Sequence, residues 1–390
     1  MVGSMMILFL TGCGSSREDG GEEPQPTKPT FITFYVYAPE NPVPTRAVDD
    51  LVDASELENT ICSFQIWVYT HETTPKLVGY LTPLILPSAD GTVYQMEVSK
   101  EFADASPKPH VDVYVTANTE AAGLSFGENP SSAVLKAAVI DKKENTDFFG
   151  ITSPFSTIDS EKGLPMSGVL YDQQVYGDNP VLRIGSENYD DMAKVQLQRS
   201  VSKVRFVFCR QSGADENSEL KITGIALDGR VTINENEEDH GFPKQEYLFL
   251  DDDGKDYHIG NDYESSAVNL FSNEEGLLVE ECDDPSTYIY VDQAAQDYED
   301  LINSGVAASE LSQVGPFYFR ETDKQLSGTI SYKIGNEDRT KTFSIETPLG
   351  FTRNHSWIVY AYYGSDGLDV LTVFAKKWTT ASTDHSVHNW

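Results

Sequence analysis

The chain has 390 residues, 39% of them hydrophobic and 11% aromatic, enough to build two ordinary domains with real cores. Its formal net charge of −34 repels nucleic acid and anionic lipid headgroups, so neither is a partner, and it keeps an exposed protein soluble until something specific overrides the repulsion. After the first residues, no stretch is long and apolar enough to span a membrane.

A short apolar run, Met5 to Leu10, leads into Thr11, Gly12 and Cys13. Small residues before a cysteine at the end of such a run resemble the lipobox of bacterial lipoproteins, where a signal peptidase cuts before the cysteine and acyl chains are added to it. Residues 1–13 are accordingly read as a lipoprotein signal, with Cys13 as the lipidation site and the outer membrane as the destination of the precursor. Residues 14–30 are acidic and carry Pro24, Pro26 and Pro29. They cannot bury enough apolar surface to offset chain entropy and are read as a flexible linker. The acidic cluster after Cys13 also resembles the sorting signal of surface lipoproteins in Bacteroidetes.

Strand patterns dominate the rest of the chain. Phe31–Tyr37 is β-branched and aromatic throughout, Cys62–Tyr69 begins with clean alternation, and His110–Val115 sets three valines on one face. A helix is predicted over Ser131–Ile140, and residues 171–190, rich in Gly, Asn and Asp, read as a loop before a domain boundary near residue 192. The second half repeats the theme in Val204–Phe208, Leu220–Ile225, Thr287–Val291, Trp357–Tyr362 and Leu371–Phe374, with a second helix over Ala294–Ser304. Asp90-Gly91, Asp228-Gly229 and Asp253-Gly254 supply turns. Many short strands with polar turns indicate an all-β protein of antiparallel sandwiches, one over residues 31–192 and one over 193–390.

No convincing active site emerges. Gly123-Leu124-Ser125-Phe126-Gly127 matches G-x-S-x-G by letters, but the strand before it ends early and Glu128-Asn129-Pro130 interrupts any following helix. Counted from Asp251, the places where a calcium loop wants Gly and Glu hold Asp256 and Asp262, so a solvated turn is the better reading, as it is for Glu235–His240. His385 and His388 have only Asp384 close in sequence as a further ligand. With Cys13 assigned to lipid, Cys62, Cys209 and Cys282 are odd in number and lack C-x-x-C spacing, which indicates neither a zinc site nor a disulfide framework. Cys62 and Cys209 read as core residues. No cofactor and no metal is expected, and the chain reads as no enzyme.

Several short stretches, in order over nearly the whole chain, resemble the fimbrillins of Bacteroidales, the subunits of type V pili. They are the lipobox at Cys13, Arg46-Ala47, Val115–Asn118, Leu164-Pro165-Met166-Ser167-Gly168, Leu197–Val204, Arg353-Asn354-His355, and a tail bearing Trp378 and Trp390. The departures are Ser202, where the family usually has a small apolar residue, and a short signal.

The resemblance implies two tandem transthyretin-like β-sandwiches and an assembly route. An arginine-specific protease would cut after Arg46, leaving Ala47 as the new N-terminus, and the lipidated first strand, with Phe31, Phe34 and Val36, would depart. A strand from another fimbrial subunit would fill the groove, supplied by the C-terminal segment with Phe374, Trp378, Val387 and Trp390 as anchors. The implied role is a structural or adhesive subunit, stalk or tip, of a surface fimbrium that meets host or bacterial surface ligands. The alternatives are an anchor subunit that keeps its lipid and a non-polymerising surface lipoprotein that binds glycans.

Overall fold

The computed structural model describes residues 29–39, 56–141, 158–211, 219–229, 245–251, 259, 266–282, 312–322, 326–345, 351–364 and 367–377. The first sandwich comprises β1 (Thr30–Tyr37), β2 (Phe64–Thr70), β3 (Leu77–Leu81), β4 (Thr92–Val98), β5 (Val111–Ala117), β6 (Val139–Asp141), β7 (Met166–Gln173), β8 (Val175–Tyr176), β9 (Val181–Ile184), β10 (Lys194–Gln196) and β11 (Gln198–Arg199). The second comprises β12 (Ser202–Gln211), β13 (Leu220–Leu227), β14 (Gln245–Tyr247), β15 (Val268–Leu278), β16 (Glu281–Cys282), β17 (Ser312–Phe319), β18 (Leu326–Ile334), β19 (Glu337–Ile345), β20 (His355–Gly364) and β21 (Gly367–Lys377). Among the described residues three short helices, α1 (Glu56–Asn59), α2 (Lys100–Asp104) and α3 (Ser132–Lys136), are excursions from this β framework.

Each sandwich has two sheets of matching plan, and β6 and β14 stand outside them, paired with each other. In the first, β4, β1, β9, β8 and β10 face β11-β7-β5-β2-β3; in the second, β16-β12-β20-β21 with β17 face β15-β13-β18-β19. The leading strand of each unit sits inside its sheet. β1 pairs antiparallel with β4 and parallel with β9 and β10, and β12 pairs antiparallel with β17 and parallel with β20. The two facing sheets are antiparallel throughout, as expected, while the sheets that hold β1 and β12 also contain parallel pairs, because each leading strand is joined by a late strand of its own unit running the same way.

Alternation decides the cores. Ile32, Phe34 and Val36 point inward with Val111, Val113 and Val115, all six fully buried, and each such side chain contributes about 1.5–3 kcal/mol. The second core gathers Phe206, Phe208, Ile222, Ile330 and Val359 around Trp357. A third cluster lies on the outer face of β2 and β5, where Trp67, Tyr69 and Tyr114 are covered by Leu135, Ile140, Leu248 and Phe249. The last two come from the second half of the chain, on a segment whose β14 pairs with β6. β5 is therefore buried on both faces.

Several local readings change. The helix expected over Ser131–Ile140 stops at Lys136, and Val139–Ile140, β-branched residues, enter β6. Residues 171–190 include β8 and β9 because Val181–Ile184 pairs with the first strand. β2 starts at Phe64, not Cys62, since the Asn118 side chain accepts the backbone N–H groups of Cys62 (2.7 Å) and Ser63 (3.3 Å). Cys62 is consequently exposed and free, against its reading as a core residue, while Cys209 is buried as expected but is disulfide-bonded, which the cysteine count had not indicated. The 294–304 helix, the 287–291 strand and the Asp253-Gly254 turn lie outside the described residues.

Candidate assembly interface

The leading strand β1 runs in full register with β4, from Thr30 opposite Val98 to Val36 opposite Thr92. Its other edge is shared: Phe31–Thr33 pair with β9 and Tyr35–Tyr37 with β10. Taking β1 away would expose two rows of unpaired backbone groups and the inward pockets of Ile32, Phe34 and Val36. Phe31, grouped with Phe34 and Val36 on sequence, sits half-buried on the opposite face with Tyr35 and Tyr37, because a strand turns alternate side chains outward.

The C-terminal strand β21 lies at the edge of its sheet, paired with β20 alone among the described strands, from Gly367 opposite Gly364 to Lys377 opposite His355. Phe374 is on it, with its backbone opposite Ile358. Cys13, Arg46, Ala47, Trp378, Val387 and Trp390 fall outside the described residues, as do His385 and His388.

Between the sandwiches lies a buried joint made of charges. Glu58 of α1 meets the Lys203 ammonium at 3.0 Å and accepts the Tyr318 hydroxyl at 2.5 Å. Arg199 donates through Nε to the Glu58 carbonyl (3.1 Å), through Nη1 to Asn354 Oδ1 (3.0 Å), and through Nη2 to Asn59. Burial pulls the Lys203 ammonium down to about 8 and Arg199 down to about 10, with the Glu58 carboxylate opposing both shifts. A second set surrounds Arg353, whose guanidinium reaches Glu321 Oε1 at 2.6 Å and Glu246 Oε1 at 3.0 Å. It also donates to the carbonyls of Tyr247 (2.6 Å) and Leu248 (2.9 Å). Burial pushes the Glu246 carboxyl well above the usual range, Glu321 adds to that, and Arg353 works against it.

The motifs that carried the resemblance meet at or beside this joint. Arg199 and Lys203 of the Leu197–Val204 stretch face Asn354 and Glu58, and Arg353 precedes Asn354. Ser202, the departure from the family pattern, is accommodated by donating to the Phe351 carbonyl at 3.0 Å. Ser167 donates to the Leu248 carbonyl, and a Cβ on Gly168 would stand 2.6 Å from the Gln196 carbonyl oxygen, so only glycine fits against β10. Asn118 holds a left-handed turn (φ 60°) and donates to Thr60 and Leu164. Glu58, Tyr318, Glu246 and Glu321 do not stand out in the sequence; an isolated Glu or Tyr there carries no signal of its distant partner. Ser125 lies in a stretch that follows a 3-10 turn (Thr119–Ala122) and not a strand, and Gly127 accepts the Trp67 indole N–H at 3.3 Å. Its role is architectural. No group of three or more metal-binding side chains occurs among the described residues.

No protein-family model matches the sequence, and no curated protein matches it either. A solved structure described as a "putative cell adhesion protein" from Parabacteroides distasonis ATCC 8503 matches with a TM-score of 0.51 and 14% identity, over 90% of this chain and 98% of that one. The two share a fold. The tip fimbrial protein Mfa3 from Porphyromonas gingivalis, with C-terminal truncation, matches with a TM-score of 0.45 and 11% identity over 90% of this chain and 100% of that one. A fimbrial assembly protein from Parabacteroides distasonis ATCC 8503 gives 0.43 and 11%, over 89% and 99%. At 14% identity what the first of these shares with this chain is the fold alone.

Proposed function

We propose that this chain is a structural or adhesive subunit, stalk or tip, of a cell-surface fimbrium, exported as a lipoprotein on Cys13. A cut between Arg46 and Ala47 frees β1, and a strand from another subunit takes its place. The observation that carries this reading is the placement of β1: it leads the chain yet sits inside its sheet, paired on both edges, with Ile32, Phe34 and Val36 fully buried. A strand so placed leaves a groove that only another strand can satisfy, since backbone pairing and alternate pockets are both required. The position of β21 at the edge of its sheet among the described strands supports the C-terminal segment as the donor. The disulfide at Cys209 supports an oxidising compartment outside the cytoplasm, and the double-sandwich fold is one found in an adhesion protein.

The test is to treat the purified full chain with an arginine-specific protease and follow its size. The expected result is loss of the segment ending at Arg46 and growth of multimers, with Arg46→Ala remaining monomeric. Clipped chains that stay monomeric would favour the second reading, a surface lipoprotein that keeps β1 and binds glycans. That reading draws on the outer face of β1, where the Tyr35 ring lies 6.1 Å from Tyr37 and 5.9 Å from Tyr189, an aromatic face of the kind sugars stack on.

A further inference from the structure

The outer face of the sheet that holds β1 carries two cations without partners among the described residues. Along β9, Leu182 and Ile184 point into the core and Arg183 points outward; along β10, Val195 points inward and Lys194 outward. The register sets Arg183 beside Thr33 and Lys194 beside Tyr35, each about 4.8 Å away on the next strand, with Thr33 and Tyr35 about 6.6 Å apart along β1. These side chains form one compact block, and the Tyr189 ring stands edge-on to Tyr35 at 5.9 Å on its border. Acids outnumber Lys and Arg by 62 to 28 in the sequence, so a cation has a wide choice of partners. Yet neither Arg183 nor Lys194 forms an ion pair or a side-chain hydrogen bond among the described residues. Arg183 Nε and Thr33 Oγ1 are moreover buried without a partner, and Thr33 as a whole is 1% exposed. Unmatched polar atoms side by side in one row carry a cost that an outside ligand can remove.

We propose that this face binds a pyranose carrying one carboxylate, a uronic or a sialic acid, with the carboxylate on Arg183 and Lys194 and the ring against Tyr35. This deepens the second reading, a chain that keeps β1 and binds glycans, because Thr33 and Tyr35 leave with β1 if the strand departs. Each part of the block suits a different part of the ligand. The guanidinium fork of Arg183 and the ammonium of Lys194 match a carboxylate, and the tyrosine rings match the apolar C–H face of a sugar. The Thr33 hydroxyl and the exposed Asp190 carboxylate, next to Tyr189, suit sugar hydroxyls. The net charge of −34 opposes this ligand far less than a polyanion: charges beyond about 10 Å are screened at 0.1 M salt, and a single carboxylate meets the two cations at close range.

The experiment takes the purified, uncut chain and measures dissociation constants by NMR titration with methyl glucuronide, a methyl sialoside and neutral methyl glucoside. The glucoside has a hydroxymethyl group where the glucuronide has its carboxylate. At least one acid should bind tenfold or more tighter than the glucoside, and which acid does so tells the two sources apart. Arg183→Gln and Lys194→Gln should each remove most of that preference and leave the glucoside unchanged. Lys194 is exposed, so its replacement should also leave the melting temperature unchanged. Tyr35→Ala should weaken all three sugars at least fivefold. Equal affinity for the acids and the glucoside would overturn the acidic-sugar assignment and leave the glycan reading standing. An acid preference that survives both Gln substitutions would overturn this site, and no binding of any of the three sugars would overturn the glycan reading with it.

Discussion

Two regions of this molecule are equally dry and are held by different physics. β1 is bound by a backbone ladder and three apolar side chains, Ile32, Phe34 and Val36; the joint is bound by Arg353, Arg199 and Lys203 against Glu321, Glu246 and Glu58. Hydrophobic burial is non-directional, so any strand with apolar residues at alternate positions could fill the space that β1 leaves. The joint has no such stand-in. Arg353 must meet two carboxylates and two carbonyls at once, and a buried charge left without its partner cannot be satisfied by a generic apolar replacement. The part that the proposed assembly exchanges is generic, and the part that keeps the subunit whole is specific.

That contrast can be broken experimentally, beginning at the joint. Arg353→Met strips Glu321 and Glu246 of their shared cation and should cost about 3–5 kcal/mol or more in urea unfolding. Lys203→Met should cost about 3–5 kcal/mol by orphaning Glu58, and the double variant Glu58→Leu, Lys203→Met should recover most of that loss. If the single and double variants unfold alike, charge pairing does not hold the joint. In the strand, Phe34→Ala should cost about 3–5 kcal/mol by opening a cavity. Phe31→Ala, on the half-buried outer face, should cost no more than about 1 kcal/mol, which separates the two faces of β1. Gly168→Ala, which forces β10 away from β7, should cost about 1–3 kcal/mol.

The smallest effect belongs to an exposed pair that serves as a control for the buried ones. The Asp172 carboxylate 2.6 Å from the His110 ring raises its pKa above the ordinary 6.5. A histidine raised in the fold contributes stability fully below 6.5 and loses it as pH rises through the raised value. A proton NMR titration should place the His110 midpoint above 6.5, and Asp172→Asn should bring it down.

Strands β1, β2, β5 and β12 are legible in sequence because β1, β2 and β5 are rich in β-branched and aromatic residues on both faces, which is what a strand covered on both sides requires, while β12 shows this on the Val204, Phe206 and Phe208 face. β19, Glu337–Ile345, is not: it is a polar edge strand with Phe343 packed into the core. β9 and β10 are too short to show a period, and they count only because they complete β1. The joint is half legible. Arg199, Lys203 and Arg353 stand in stretches marked by resemblance, but Glu58 lies 145 residues from Lys203 and 260 from Tyr318, and nothing local distinguishes it from a solvated acid.

The most direct measurement is the N-terminal sequence and mass of the protein recovered from fimbriae on the cell surface. The account predicts a chain that starts at Ala47 and carries no lipid. A chain that starts at acylated Cys13, with residues 14–46 still attached and β1 therefore in place, would contradict it.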